Sequence, residues 1–352
     1  MEQRIVSLFL FFFALEFLVE FVVNELNLRY VRARWAERRI PDFFRGRLGA
    51  EEYEKSIAYT LAKGRFQRWA GIYERSIVLA ILFGGALPFL DQLSGRLALS
   101  LPLGAYAHGI FFCFSVGLLF SLAGLVTDLY ATFVLEARFG FNKTSLGLYI
   151  ADKIKTLFLG LAIGFLFLWV VLWLMDAMGR LWWIWAFVFI AAFQLLMVVI
   201  FPTFIAPLFN KFEPLKDGEL RERILELAEQ VGFQASGIYV MDGSKRSSHS
   251  NAYFTGIGKA KRIVLFDTLI EQMSLEQGLA VLAHEMGHYK MKHIQRMLIV
   301  QAVFLLLALY VVSLLLDYRP LYAAFGLEPS HQAALVLFSL LSGPFTFYLG
   351  PV

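Results

Sequence analysis

Long apolar blocks restrict what this chain can fold into more than any other feature. Residues of approximately 5–26, 76–92, 105–127, 156–176, 181–201, 298–316 and 331–350 are seven runs dominated by hydrophobic side chains. A helix of about 20 such residues crosses the hydrocarbon layer of a bilayer, and a water-soluble core has no need of seven of them. The second block is the most broken, by Gly84, Gly85 and Pro88. Composition agrees: 59% of the 352 residues are hydrophobic and 17% charged, against about 45–50% and 25% in soluble domains. The first block is read as a retained span, because its apolar core is long, Glu16 and Glu20 interrupt it, and no small-x-small cleavage site follows. Cys113 is the single cysteine, which excludes an internal disulfide and a cysteine-based zinc site.

Basic residues indicate orientation, since short loops rich in Lys and Arg stay in the cytoplasm. Segments 28–75, 127–155 and 202–297 hold 28 of the 32 Lys and Arg residues, and the intervening loops and N-terminal tail hold one each: Arg4, Arg96, Arg180 and Arg319. That alternation fits seven spans with the N-terminus outside and the C-terminus inside. The net charge of +4 is accounted for by attraction to anionic lipid headgroups, so no nucleic-acid partner is expected. The arginine-rich stretch 29–47 is read as solvated and headgroup-facing. Glu16, Glu20 and Asn24 recur every four residues and form a polar stripe on the first span. Carboxylates at membrane depth face a bundle interior or a watery cavity, so the stripe is expected to point inward.

The water-exposed stretch long enough to fold by itself is 202–297. Asp217-Gly218 precedes a helix whose apolar positions Leu220, Ile224, Leu227, Ala228 and Val231 fall on one face, with Gly232 as its stop. Strand-like runs follow at Gly237–Met241, Asn251–Thr255 and Arg262–Phe266. Ser274-Leu275-Glu276-Gln277 then reads as a capping box. It opens a helix that carries His284-Glu285-Met286-Gly287-His288 and is expected to run on toward the sixth span. The chain therefore divides into spans one to five (1–201), a metalloprotease domain (202–297) and spans six and seven (298–352).

HExxH on a helix has a specific chemistry. Residues four apart lie nearly above one another, so His284 and His288 present two imidazoles to one point, as one tetrahedral zinc ion per chain requires. Glu285 sits beside them, where a carboxylate can take a proton from water whose pKa the metal lowers to about 7. His293, nine residues after His284 on a continuous helix, is expected to face away. His249, in Ser247-Ser248-His249-Ser250, either lines the cleft or is an ordinary loop histidine.

At this point the residues form a wider pattern. Glu136-Ala137-Arg138-Phe139-Gly140-Phe141-Asn142-Lys143, Ile205-Ala206-Pro207-Leu208-Phe209-Asn210-Lys211-Phe212, Arg246-Ser247-Ser248-His249-Ser250-Asn251-Ala252-Tyr253-Phe254, Lys261–Leu269 and Ala283–His288 together resemble the type I CAAX prenyl endopeptidases. The resemblance implies a mainly α fold: a seven-transmembrane-helix barrel enclosing a chamber, with a small cytoplasmic α+β zinc metalloprotease domain. It implies endoproteolysis after a prenylated cysteine near the C-terminus of a CAAX protein. His284 and His288 become zinc ligands, Glu285 the general base, and Asn251 and Ala252 part of an edge strand that pairs with the substrate.

One departure stands out. The family's third ligand is a glutamate on a helix downstream of HExxH, whereas the acidic residues after His288 here are Asp317 and Glu328, both on an expected outer loop. The family's later oxyanion histidine is missing too. The reading is that the sequence is truncated, and that the chain as given is a poorly active monomer. Rival readings are a quality-control metalloprotease with no prenyl requirement, an intramembrane site-2-type protease and a non-catalytic scaffold. The polar and charged residues Glu276, Lys290, Lys292, His293 and Arg296 around the motif argue against a site inside the membrane. A bacterial cytoplasmic membrane is favoured, with the endoplasmic reticulum as the alternative.

Overall fold

The fold is available as a computed structural model, which describes the chain except residues 37–39, 41–45, 47–48, 102–103, 234, 257–260 and 348–352. It is mainly helical with one small sheet. The first helices are α1 (Glu2–Ala36), α2 (Ala50–Phe83), α3 (Ala86–Ser100), α4 (Ala107–Tyr130), α5 (Leu146–Ala177) and α6 (Trp182–Ile200). Two packing units are present: one is Met1–Phe139, Leu161–Ala177 and Val311–Val352, the other Gly140–Gly160 and Met178–Tyr310.

Five segments are long and apolar enough to cross a membrane unaided: Glu2–Ala36, Ala107–Glu136, Leu146–Ala177, Gly179–Leu208 and Gln295–Leu315. The expected second and seventh spans take other forms. α2 and α3 meet at a 62° bend. It lies at Gly84-Gly85, where Gly85 has φ +77° and a Cβ on Gly84 would run into the Ala80 carbonyl. Only glycine fits such a corner without strain. The last block is a shorter apolar helix, His331–Phe347, and residues 348–350 of that block lie outside the described residues.

Helix boundaries differ from expectation in two further places. Phe201-Pro202 and Ala206-Pro207, a turn-rich opening to 202–297 by their prolines, do not open a turn, because the helix continues through them as π and 3-10 turns. Proline in the first turn of each gives up a donor that the geometry does not need. The basic stretch 29–47 is helical as far as Ala36, with Arg29 and Arg32 lying 3.0 and 3.6 Å from Glu25. Residues 37–39, 41–45 and 47 of it lie outside the described residues.

In the first unit, the polar stripe of α1 faces α2, as expected for an inward stripe. Arg75 donates to Glu16 at 2.9 Å and also pairs with Glu20, while the Asn24 amide donates to the Gly64 carbonyl at 3.2 Å. α2 and α4 run antiparallel: the Tyr73 hydroxyl donates to the Ala123 carbonyl at 3.0 Å, Phe66 stacks on Tyr130, and the Tyr59 hydroxyl donates to Glu136 at 2.6 Å.

The second unit holds the sheet: β1 (Phe212–Pro214), β2 (Gly237–Met241), β3 (Ala252–Thr255) and β4 (Arg262–Phe266), ordered β1-β2-β4-β3. β2 and β4 are parallel; the outer pairs are antiparallel. Three of these strands and the amphipathic helix α7 (Glu219–Val231), ended by left-handed Gly232, lie where the sequence pattern puts them. β1 escapes that pattern, being three residues that end in a proline. α8 (Asp267–Gln272) follows β4, and α9 (Leu275–Lys290) starts at the expected capping box, in which the Ser274 and Gln277 side chains each accept from the other's backbone N–H. α7 and α9 pack on one face of the sheet, burying Ile224, Ala228, Ile263, Leu265, Leu282 and Met286.

α9 does not run on toward the next apolar block. It stops at Lys290, turns at Met291 and Lys292, and a new helix, α10 (His293–Leu315), begins.

Candidate metal centre

α9 divides its residues by helical phase. Leu282 and Met286 are buried in the core between helix and sheet. Two positions further along, or about 200° around the axis, His284 and His288 fall on the opposite, exposed face. Glu285, one position before Met286, is half-buried at the boundary. The core therefore sets which way the histidines point.

The two imidazoles converge. Nε2 of His284 and Nε2 of His288 lie 3.2 Å apart. With metal–nitrogen bonds of 2.0–2.1 Å, a tetrahedral zinc ion separates two of its nitrogen ligands by about 3.3 Å, so the pair fits one edge of such a site. Glu285 makes no hydrogen bond or ion pair among the described residues, which leaves its carboxylate available to a proton. No group of three His, Cys, Asp or Glu side chains able to hold a metal ion is found among the described residues, so His249 does not join the two imidazoles as a third donor.

His293 corrects an expectation. It does not face away: its Nδ1 lies 2.8 Å from Nδ1 of His288. The change of direction at Met291-Lys292 brings it back. Tyr289-Lys290-Met291-Lys292 contains no glycine or proline, so the sequence carries no signal for that break.

The remaining candidates sit on one knitted loop. Three segments far apart in sequence meet around Arg246, whose guanidinium donates to Asp152 at 2.9 Å and to the Phe209 carbonyl at 2.7 Å. Its own carbonyl accepts from the Lys143 amide at 3.0 Å. Ser248 bonds the Phe141 and Gly140 carbonyls, and His249 stacks on the Phe141 ring with centroids 4.4 Å apart. From α8, the Thr268 hydroxyl donates to the His249 carbonyl and the Gln272 amide donates to Ser248. The loop enters β3 already immobilised. Asp152, Thr268 and Gln272 were not singled out from sequence; an acidic residue near the start of an apolar helix was the available signal for Asp152.

β3 is the edge of the sheet. Asn251 precedes it, and its carbonyl accepts from the Phe266 amide at 3.0 Å. Antiparallel pairs alternate between bonded and non-bonded positions. With Asn251 and Phe266 a bonded pair, Tyr253 and Thr255 turn their backbone groups toward β4, and Ala252 and Phe254 turn theirs to the open side. The Ala252 amide is taken locally by the Asn251 side chain at 2.8 Å. Burial raises the Tyr253 phenol above its ordinary pKa of 10.0.

Comparison with known proteins places the chain among relatives along nearly its whole length. Residues 30–211 match the family described as CAAX prenyl protease N-terminal, five membrane helices, and residues 214–351 match peptidase family M48. A CAAX prenyl protease 1 homolog of Dictyostelium discoideum is 36% identical over 344 residues, covering 95% of this chain and 79% of the relative. The Homo sapiens homolog is 33% identical over 341 residues, covering 85% and 72%. CAAX prenyl protease 1 of Saccharomyces cerevisiae is 42% identical over 275 residues, covering 75% and 60%. The crystal structure of S. mikatae Ste24p superposes with a TM-score of 0.85 at 33% identity, covering 96% of this chain and 82% of that one.

Proposed function

Since the chain belongs to the CAAX prenyl protease family of M48 peptidases, and is therefore an integral-membrane metalloendopeptidase, we propose that it cleaves the peptide bond after a prenylated cysteine near the substrate's C-terminus, on the exposed face of α9. The observation that carries the placement is the 3.2 Å convergence of His284 and His288 beside a carboxylate that nothing among the described residues engages. The family works with a divalent metal; here His284 and His288 would supply two of the three protein ligands of one zinc ion per chain, with no third donor among the described residues. When bound, zinc supplies a Lewis acid for the scissile carbonyl and lowers the pKa of water toward 7.

The chain's own residues do the rest. Glu285 accepts a proton from the attacking water and returns it to the leaving nitrogen, the general acid–base role in peptide hydrolysis. The open side of β3 offers the Ala252 carbonyl and both backbone groups of Phe254 to an extended peptide, which adds as a further strand. Asn251, holding the Ala252 amide, and His249, on the loop leading in, flank that docking edge as substrate-binding residues. Residues 202–297 form the metalloprotease domain, and the bias of Lys and Arg puts it on the cytoplasmic side. The protein works as a monomer.

Paired peptides test the substrate. Purified protein in lipid nanodiscs is given farnesylated and unfarnesylated versions of one C-terminal CAAX peptide. Release of the last three residues from the farnesylated peptide alone is expected. Equal cleavage of both would replace the CAAX reading with a quality-control protease.

A further inference from the structure

His288 has two ring nitrogens, each with its own neighbour. Nε2 faces Nε2 of His284 at 3.2 Å, and Nδ1 faces Nδ1 of His293 at 2.8 Å. Two imidazole nitrogens at 2.8 Å share one hydrogen, one ring donating and the other accepting. An imidazole that turns its Nε2 lone pair to a metal carries its hydrogen on Nδ1. Given the proposed ligand role of His288, on which this inference rests, His288 is the donor and His293 the acceptor. His293 then keeps its own hydrogen on Nε2.

The geometry points to His293 as a positioning residue, whose Nδ1 accepts the His288 Nδ1–H and so fixes the tautomer and ring plane of that ligand. It is not a third ligand, because it meets the far side of the His288 ring. Partners of this kind keep a metal-bound imidazole oriented and raise its basicity.

The backbone is arranged for this contact. On a continuous helix, five residues turn the chain about 140° past a full turn, which would carry His293 away from His288. Instead Lys292 adopts φ +57°, the only left-handed residue other than glycine among the described residues, and α10 starts at His293. The last turn of α9 is anchored just before the break. Tyr289 meets Phe233 edge-on at 4.8 Å and lies under the Lys261 ammonium, 4.1 Å from the ring centroid. An unfavourable lysine conformation between an anchored turn and a new helix is what places one imidazole against another.

Zinc affinity of the full chain, measured by chelator competition, reads the role directly, with melting of the EDTA-treated protein followed in parallel. His293→Ala is expected to weaken zinc roughly 10–100-fold while metal-free melting stays unchanged. His293→Asn, whose side-chain oxygen can accept the same hydrogen, is expected to recover most of the affinity. Unchanged affinity in His293→Ala overturns the proposal. So does equal weakening in both variants with lowered metal-free melting, which would mark a packing role only. His284→Ala separates this inference from the reading beneath it. Zinc lost in His284→Ala but untouched in His293→Ala removes only the positioning role, whereas wild-type zinc binding by His284→Ala removes the metal site and this inference with it.

Discussion

Two helices carry polar residues every fourth position, and the structure treats them oppositely. On α1, Glu16, Glu20 and Asn24 each have a partner on α2: Arg75 takes both carboxylates and the Gly64 carbonyl takes the amide. On α9, His284 and His288 turn toward each other and Glu285 has no partner among the described residues. The same spacing thus serves two ends. A charge at membrane depth is costly unless matched, so the α1 stripe is consumed in holding two helices together. The α9 stripe is left with unspent bonding capacity, which a metal and a substrate can use.

The sharpest break of this comparison is at Glu285. Glu285→Gln keeps the side chain's size and removes its basicity. Peptide hydrolysis should fall about 10²–10⁴-fold, the range for losing a general acid–base, with zinc content by metal analysis unchanged. A variant that cleaves at the wild-type rate would make Glu285 as structural as Glu16.

Arg75→Met tests the other stripe. The Arg75 and Glu16 side chains are 17% and 16% exposed, and removing one partner of this part-buried pair leaves the other without its bond. The expected loss is about 1–2 kcal/mol of stability, read by thermal unfolding in detergent. Adding Glu16→Gln should restore part of it, and zinc affinity should not move. An Arg75→Met protein as stable as wild type would show that the α1 stripe is solvated after all.

Ala252→Pro acts at the edge strand. Ala252 turns its amide away from β4, so a proline ring there occupies the open side and spares the ladder. KM for a peptide substrate should rise about tenfold, the worth of one docking hydrogen bond lost because the ring obstructs the open side rather than because the amide is gone, with zinc retained. Loss of zinc together with activity would make β3 structural.

The smallest effect is expected at the turn after α9. Lys292→Gly relieves a left-handed conformation that only glycine adopts without penalty, so stability should rise by up to about 1 kcal/mol. Zinc affinity should hold, since His293 keeps its place. A fall in affinity would show that the stiffness of Lys292 itself contributes to seating His293.

Much of the fold was legible because its signals are local. The capping box at Ser274, the stop at Gly232 and the 3.6-residue spacing of Leu220, Ile224, Leu227 and Val231 each need only a few consecutive residues to read. So does the corner at Gly84-Gly85, visible as a weak point in the second apolar block. The expected continuation of α9 failed for the same reason, seen from the other side: Lys290, Met291 and Lys292 are good helix formers, and the break there is imposed by what surrounds them.

The sequence by itself determined that this is a membrane protein of long apolar helices, that a small α+β segment lies between the fifth and sixth apolar blocks, and that His284, Glu285 and His288 share one stretch of helix. Periodicity and composition act over a turn or two of chain, and those conclusions need nothing longer. Tertiary structure decided which face of α9 is free, because burial of Leu282 and Met286 fixes its rotation. It decided that β3 is the edge strand, since strand order depends on pairing between distant residues. It also decided that Arg75 answers Glu16, that Asp152 anchors Arg246 across 94 residues, and that His293 turns back to His288. In each of these the partner is chosen by packing and charge matching through space, which no local pattern encodes.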